Sequence, residues 1–175
     1  LSDIEEKEIL YWRNQLGERG PTPLDLPYDK PRPKQQTFGG RNHRLMIPSE
    51  LLSSVNDICK RENVTLYMLL LFTLQLLLSR YSRQEEICVG TPYAGREEQE
   101  FRNLVGYFIN SLAMKSDISG DLSMDVMMKQ IRSTVLNAFN NANVPFHRIV
   151  DALQVTRDTS RTPVFQVLFV LQDEI

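Results

Sequence analysis

Cysteine and histidine are scarce in this 175-residue chain, at two of each, and neither sign of charge prevails. Cys59 and Cys88 form no Cys-x-x-Cys pair, and two histidines cannot complete a zinc site of ordinary spacing. The cysteines fall on a predicted helix and a predicted strand, where small buried thiols are common, so a structural role in a reducing cytoplasm is expected. With 20 Lys and Arg against 22 Asp and Glu, the net charge of −2 leaves no electrostatic footprint for nucleic acid or an anionic membrane. No run reaches the roughly 20 apolar residues that a spanning helix needs. The nearest is Leu66 to Leu78, eleven apolar residues of thirteen, which reads as a buried core helix with Thr65 as its N-cap and Arg80 at its far pole. The first residues, Leu1-Ser2-Asp3-Ile4-Glu5-Glu6-Lys7-Glu8, are acidic and lack an apolar core, so no secretory leader is expected. Without a leader, Asn63-Val64-Thr65 reads as a helix-start turn rather than a glycosylation acceptor.

What is present is an ordinary globular composition, 42% hydrophobic and 24% charged, in a length that suits one core. Ser2-Asp3-Ile4-Glu5 is a capping box that opens a helix to about Leu16, stopped by Gly17. Five prolines between Pro21 and Pro33 make residues 21–36 an extended connector. Arg41 to Ile47 alternates weakly and predicts a strand, and Pro48-Ser49-Glu50 opens a helix to about Glu62. The buried helix runs from Leu66 to Tyr81. Ile87 to Tyr93 and Val105 to Ile118 predict strands, Ser123 caps a helix to about Asn141, and Pro145 opens a short helix to Leu153. Val164 to Leu171 is a nearly continuous apolar run, as in a strand at the centre of a sheet covered on both faces. The fold expected is α/β, with helices packed on one mixed β-sheet.

The chemistry-bearing segments are few. Gly90-Thr91-Pro92-Tyr93-Ala94-Gly95-Arg96 mimics a phosphate loop but places Arg96 where lysine is needed and Glu97 where a hydroxyl is needed, ahead of more acid at Glu98 and Glu100. Its plain alternative is a strand end and a glycine turn. Val105 to Leu112 spends a glycine and an asparagine inside an apolar run; glycine permits close approach, and a buried amide must be fully hydrogen-bonded. Arg157-Asp158-Thr159-Ser160-Arg161-Thr162-Pro163 sets two guanidiniums around one carboxylate, which on physics alone reads as a solvated cluster or a cap. His43 and His147 are the only candidate bases and read as surface residues. There is no Gly-x-Ser-x-Gly elbow and no metal-binding pair on a helix.

Taken in order, Tyr11-Trp12, Gly90 to Arg96, Val105 to Leu112, Val144-Pro145-Phe146 and Arg157 to Phe165 resemble the second half of a condensation domain of a non-ribosomal peptide synthetase. Ser111, Lys115, His147 and Thr162 depart from the residues more usual there, which are Thr, Arg, Glu and Asn. The family's catalytic His-His-x-x-x-Asp-Gly motif belongs to the first half, and no two histidines are adjacent here. The resemblance implies that residues 1–175 are the C-terminal lobe of the two-lobed chloramphenicol-acetyltransferase-like architecture. It places Gly106, Tyr107, Phe108, Asn110, Ser111, Arg157, Asp158, Ser160 and Arg161 at the substrate channel and lobe junction, and Gly90, Thr91, Pro92, Gly95 and Arg96 on a lobe-bridging segment.

The activity implied is amide formation between a carrier-bound acyl donor and an aminoacyl acceptor, in antibiotic-type secondary metabolism. No catalytic residue, metal or resident cofactor is expected in this chain, and isolated it should be inactive. The substrates would ride on phosphopantetheine arms of partner carrier proteins. Other expected partners are the N-terminal lobe and an adjacent adenylation domain, with no nucleic acid and no membrane. Two other readings stay open: a stand-alone protein-interaction module of the same fold, and an unrelated small acyltransferase.

Overall fold

The computed structural model describes residues 2–96, 99–101, 104–120, 122–156 and 158–172. Ser2 accepts a hydrogen bond from the Glu5 amide and opens helix α1, Asp3–Leu16, which ends at Gly17 with φ at 84°. Glu8, Trp12 and Leu16, four residues apart in turn, form its buried stripe. Helix α2, Ser49–Glu62, ends on Asn63 in the left-handed conformation that stops helices. Thr65 then accepts from the Met68 amide and opens α3, Leu66–Ser82. Strand β1, Glu86–Tyr93, pairs antiparallel with β2, Asn110–Asp117, from Glu86 opposite Asp117 to Tyr93 opposite Asn110. A single 3-10 turn, Gln99–Phe101, lies between the strands, and helices α4, Met124–Asn140, and α5, Phe146–Ala152, follow β2; Ser123 stands at the N-cap of α4 without a side-chain bond to it.

Helix α3 packs on β1 and α4 on β2, side by side, while α1 and α5 pack on each other and against β2. The core fills between these layers with Trp12, Leu71, Ile87, Val89, Leu112, Met114 and Ile131, all fully buried. Gln75 lies among them, wholly buried, and its amide donates to Met114 O at 2.8 Å and Ile87 O at 3.4 Å. Its oxygen finds no partner among the described residues. The connector from Pro21 to Gln36 is extended and held by side chains: Leu24 N donates to Gln166 Oε1, and Gln84 bonds Asp25 N and Pro23 O. No single helix among the described residues is long and apolar enough to cross a membrane.

Two expected strands are not regular strands, and a third is shorter than expected. Residues 41–47 are exposed and without regular structure, with Leu45 and Met46 turned to solvent, and no partner strand among the described residues meets them. Strand β2 begins at Asn110 rather than Val105; residues 104–109 form an exposed loop, bent at Gly106. The run from Val164 lies at the edge of the sheet instead of its centre, touching β1 through one parallel bridge, Gly90 to Leu168. Its start is broken by a turn in which Phe165 N donates to Pro163 O at 2.8 Å and Val164 takes φ of 69°, a conformation hostile to a β-branched residue. The sheet is therefore two antiparallel strands with one parallel contact.

Candidate functional site

Where β2 starts, the loop before it and the turn between α4 and α5 enclose an open groove of about 540 Å³. Tyr93, Gly95, Tyr107, Phe108, Ile109, Asn110 and Ser111 line one side; Ala142, Asn143, Pro145, Phe146 and His147 line the other. Asn110 joins the two. Its amide nitrogen donates to Ala142 O at 2.9 Å and Val144 O at 2.8 Å, and its oxygen accepts from the amides of Ser111 and Phe146, both at 2.9 Å. Every donor and acceptor of that side chain is thus used, which explains an asparagine at the head of an apolar strand.

The exposed loop hangs from Arg96. Its guanidinium donates to Leu104 O at 2.7 Å and Gly106 O at 3.2 Å and lies 4.3 Å over the Phe108 ring. Gly95 sits at φ of 63°, where a Cβ would stand 2.5 Å from Phe108 O, so the close approach needs glycine. Phe108 is half-buried by this clasp, whereas Tyr107 is 88% exposed and Val105 wholly so.

The other expected segment lies apart from this groove. Asp158, Arg161 and Thr162 border a second hollow of about 480 Å³, with Pro21, Val150, Leu153, Val155 and Val164 as its apolar lining. Helix α5 contributes to both hollows, through Phe146 and His147 to one and through Val150 and Asp151 to the other. Arg161 Nε pairs with Asp158 at 2.8 Å, and hydrogen bonds from the Ser160 hydroxyl and amide hold the Asp158 carboxyl below its usual range. Ser160 is buried; its carbonyl accepts from Arg32, and Thr159 bonds Lys34 O and Gln36 N, so the proline-rich connector is laced to this segment. Arg157, Glu97 and Glu98 lie outside the described residues.

Of the expected bridging residues, Gly90 and Thr91 are buried inside β1 and Pro92 pairs with Ser111, so they build the lobe itself; only Gly95 and Arg96 lie beyond the strand. His43 is exposed, and His147, also exposed, is the groove's one imidazole. Burial pushes the Cys88 thiol up to about 12 and raises that of Cys59, in keeping with structural thiols. Glu8 escaped notice in the sequence, although its place four residues before Trp12 puts it on the buried stripe. Its carboxylate accepts from Asn143 N, Asn143 Nδ2 and Val144 N at 2.8–3.0 Å.

A family model of the condensation domain matches residues 2–174. The chain belongs to the condensation-domain family. A linear gramicidin synthase of Brevibacillus parabrevis is 43% identical over 172 residues, which are 98% of this chain and 3% of that protein. A four-domain nonribosomal peptide synthetase bound to AMP and glycine superposes with a TM-score of 0.90 at 27% identity, over 96% of this chain and 13% of that one. The X-domain from teicoplanin biosynthesis shares the fold, with a TM-score of 0.87 at 24% identity, covering 95% and 37%. This condensation-domain chain therefore spans a small part of the synthetases it matches. Its helices on a small sheet are one lobe of the α/β fold expected from the motifs, and its relatives are enzymes of non-ribosomal peptide and antibiotic synthesis.

Proposed function

We propose that this chain is the C-terminal lobe of a condensation domain, and that the groove at Asn110 and Ser111 is its share of the substrate channel. In the intact domain an acceptor amine would attack the carbonyl carbon of a donor thioester. The C–N bond forms, the C–S bond breaks, and the donor's phosphopantetheine leaves as a thiol with the proton the amine gives up. Both substrates arrive on carrier proteins, and the base that manages the proton comes from the N-terminal lobe, since no adjacent histidines occur here. What this chain contributes is position. Tyr107, Phe108, Asn110 and Ser111 form a neutral, partly aromatic wall suited to an uncharged pantetheine arm, with Asp158, Ser160 and Arg161 at the junction with the other lobe and Gly95 and Arg96 at its start. An adenylation domain and a cytoplasmic location complete the setting.

The observation that carries this reading is the loop of residues 104–109, fixed by Arg96 yet presenting Val105, Tyr107 and Ile109 to solvent beside the groove. Apolar side chains held out in this way are typical of interaction surfaces, which supports a covering lobe here. The test mixes loaded donor and acceptor carriers with this chain alone and with the complete domain. Product is expected only from the complete domain, because half a channel supplies no positioning. Product from this chain alone above the no-protein rate would overturn the division of labour, and none from the complete domain would favour a non-catalytic interaction module.

A further inference from the structure

The groove's far wall is a turn that borrows its hydrogen bonds from distant side chains. Between the Asn141 carbonyl and the Phe146 amide, Trp12 Nε1 donates to Asn141 O at 2.8 Å, Glu8 accepts from the amides of Asn143 and Val144, and Asn110 holds Ala142 O, Val144 O and Phe146 N. Asn110 belongs to the groove itself. Glu8 and Trp12 do not: they come from α1, stand one helical turn apart on its buried stripe, and reach the turn from behind.

A carboxylate 5% exposed is costly unless its oxygens are fully bonded. Glu8 receives three N–H donors and faces no acceptor that it would need to serve, so the anion matches the site. Glutamine, of the same size, could keep its oxygen on both backbone amides and pair its NH2 with a flipped Asn143 side chain, whereas alanine offers no acceptor to any of the three donors. The turn therefore needs an acceptor at this position, and what it secures is the place of Ala142, Asn143, Pro145 and Phe146 along the groove.

We propose that Glu8, supported by Trp12, is a positioning residue for condensation: it sets the distance between the 142–147 wall and the Tyr107–Ser111 wall and so the fit of the carrier-bound substrate between them. This rests on the reading of the groove as substrate channel. Loss of the anchor lets the wall shift without touching any reacting group, and a displacement of about 1 Å in a positioning element costs roughly 10- to 100-fold, here in kcat/KM.

The experiment uses the complete condensation domain with donor and acceptor carriers, comparing wild type with Glu8→Ala, with Trp12→Phe as the milder variant should Glu8→Ala fail to fold, and with Glu18→Gln as an exposed control. Two readouts are taken. Hydrogen exchange should quicken at the amides of Asn143 and Val144 while those of β2 and α4 keep their protection. KM for one of the two loaded carriers should rise about tenfold or more while kcat changes far less. Glu18→Gln should match wild type. Quickened exchange with KM unchanged overturns the proposal, as does a fall in kcat that tracks a lowered thermal midpoint, which would make Glu8 merely structural. An inactive wild-type domain would instead sink the amide-forming reading, a result separable from the exchange pattern.

Discussion

The ring of Phe165 occupies the space that a side chain on Gly90 would need: a Cβ there would stand 2.3 Å from Phe165 Cε2. The backbone of Gly90 cannot withdraw, because its amide donates to Val167 O at 2.9 Å and its carbonyl accepts from Phe169 N at 2.8 Å. Gly90→Ala is expected to cost about 1–3 kcal/mol, the usual range for overpacking, and to lower Tm by roughly 2–4 °C per kcal/mol. Adding Phe165→Ala should return part of that loss in a double-mutant cycle. A Tm unchanged in Gly90→Ala would mean that the ring swings away at no cost.

Asn110→Ala leaves two amides and two carbonyls without their partner. The expected loss is at least about 2 kcal/mol, since a buried group left unpaired costs about 1–3 kcal/mol. Asn110→Asp should do no better, because an anion would face the carbonyls of Ala142 and Val144. Denaturant midpoints with unchanged m-values measure this; wild-type midpoints for Asn110→Ala would show that water replaces the amide.

Arg96→Lys keeps the charge but loses the planar fork that serves Leu104 O and Gly106 O together. Global stability should move by no more than about 0.5 kcal/mol, as for other exposed positions. Hydrogen exchange across residues 104–108 should quicken, and in the complete domain turnover should fall. Unaltered exchange would show that the loop is held by something other than this clasp.

Alkaline pH offers a test of the core. Burial raises Cys88 from 9.0 to about 12, so folded and unfolded chains hold the same proton below 9, and only the unfolded chain releases it above. Stability is therefore intact below pH 9 and lost between pH 9 and about 12, with a slope approaching about 1.4 kcal/mol per pH unit for this one group. Cys88→Ala should flatten that arm of the pH–stability curve. An equal slope in both proteins would assign the alkaline loss elsewhere, with Tyr11, also raised by burial to about 12, the first alternative.

The helices were legible in the sequence because their signals are local. Ser2 and Thr65 bond amides three residues on, and the spacing of Glu8, Trp12 and Leu16 needs only the helical period. Strands depend on partners, and composition does not say whether a partner exists. Residues 41–47 and 104–109 have strand-like composition and no ladder among the described residues, and Val164 begins its apolar run with a turn. The site shows the same division. Asn110 announces itself as an amide inside an apolar run, but three of its four bonds reach residues 32 to 36 positions away, and the partners of Glu8 lie 135 or more away. No pattern confined to one segment could have joined Glu8 to Asn143, or separated the Asp158 hollow from the Asn110 groove.

An apolar helix such as α3 can slide or roll on a sheet with little change in the area it hides, so hydrophobic contact alone leaves its seating degenerate. Gln75 removes that freedom, since its amide reaches carbonyls on both strands, Ile87 and Met114, from a single rotation and height of the helix. Its oxygen, without a partner among the described residues, is a standing cost. The core thus gives up some stability for one defined docking of α3, and the strands that carry Tyr93 and Asn110 to the groove inherit that definition.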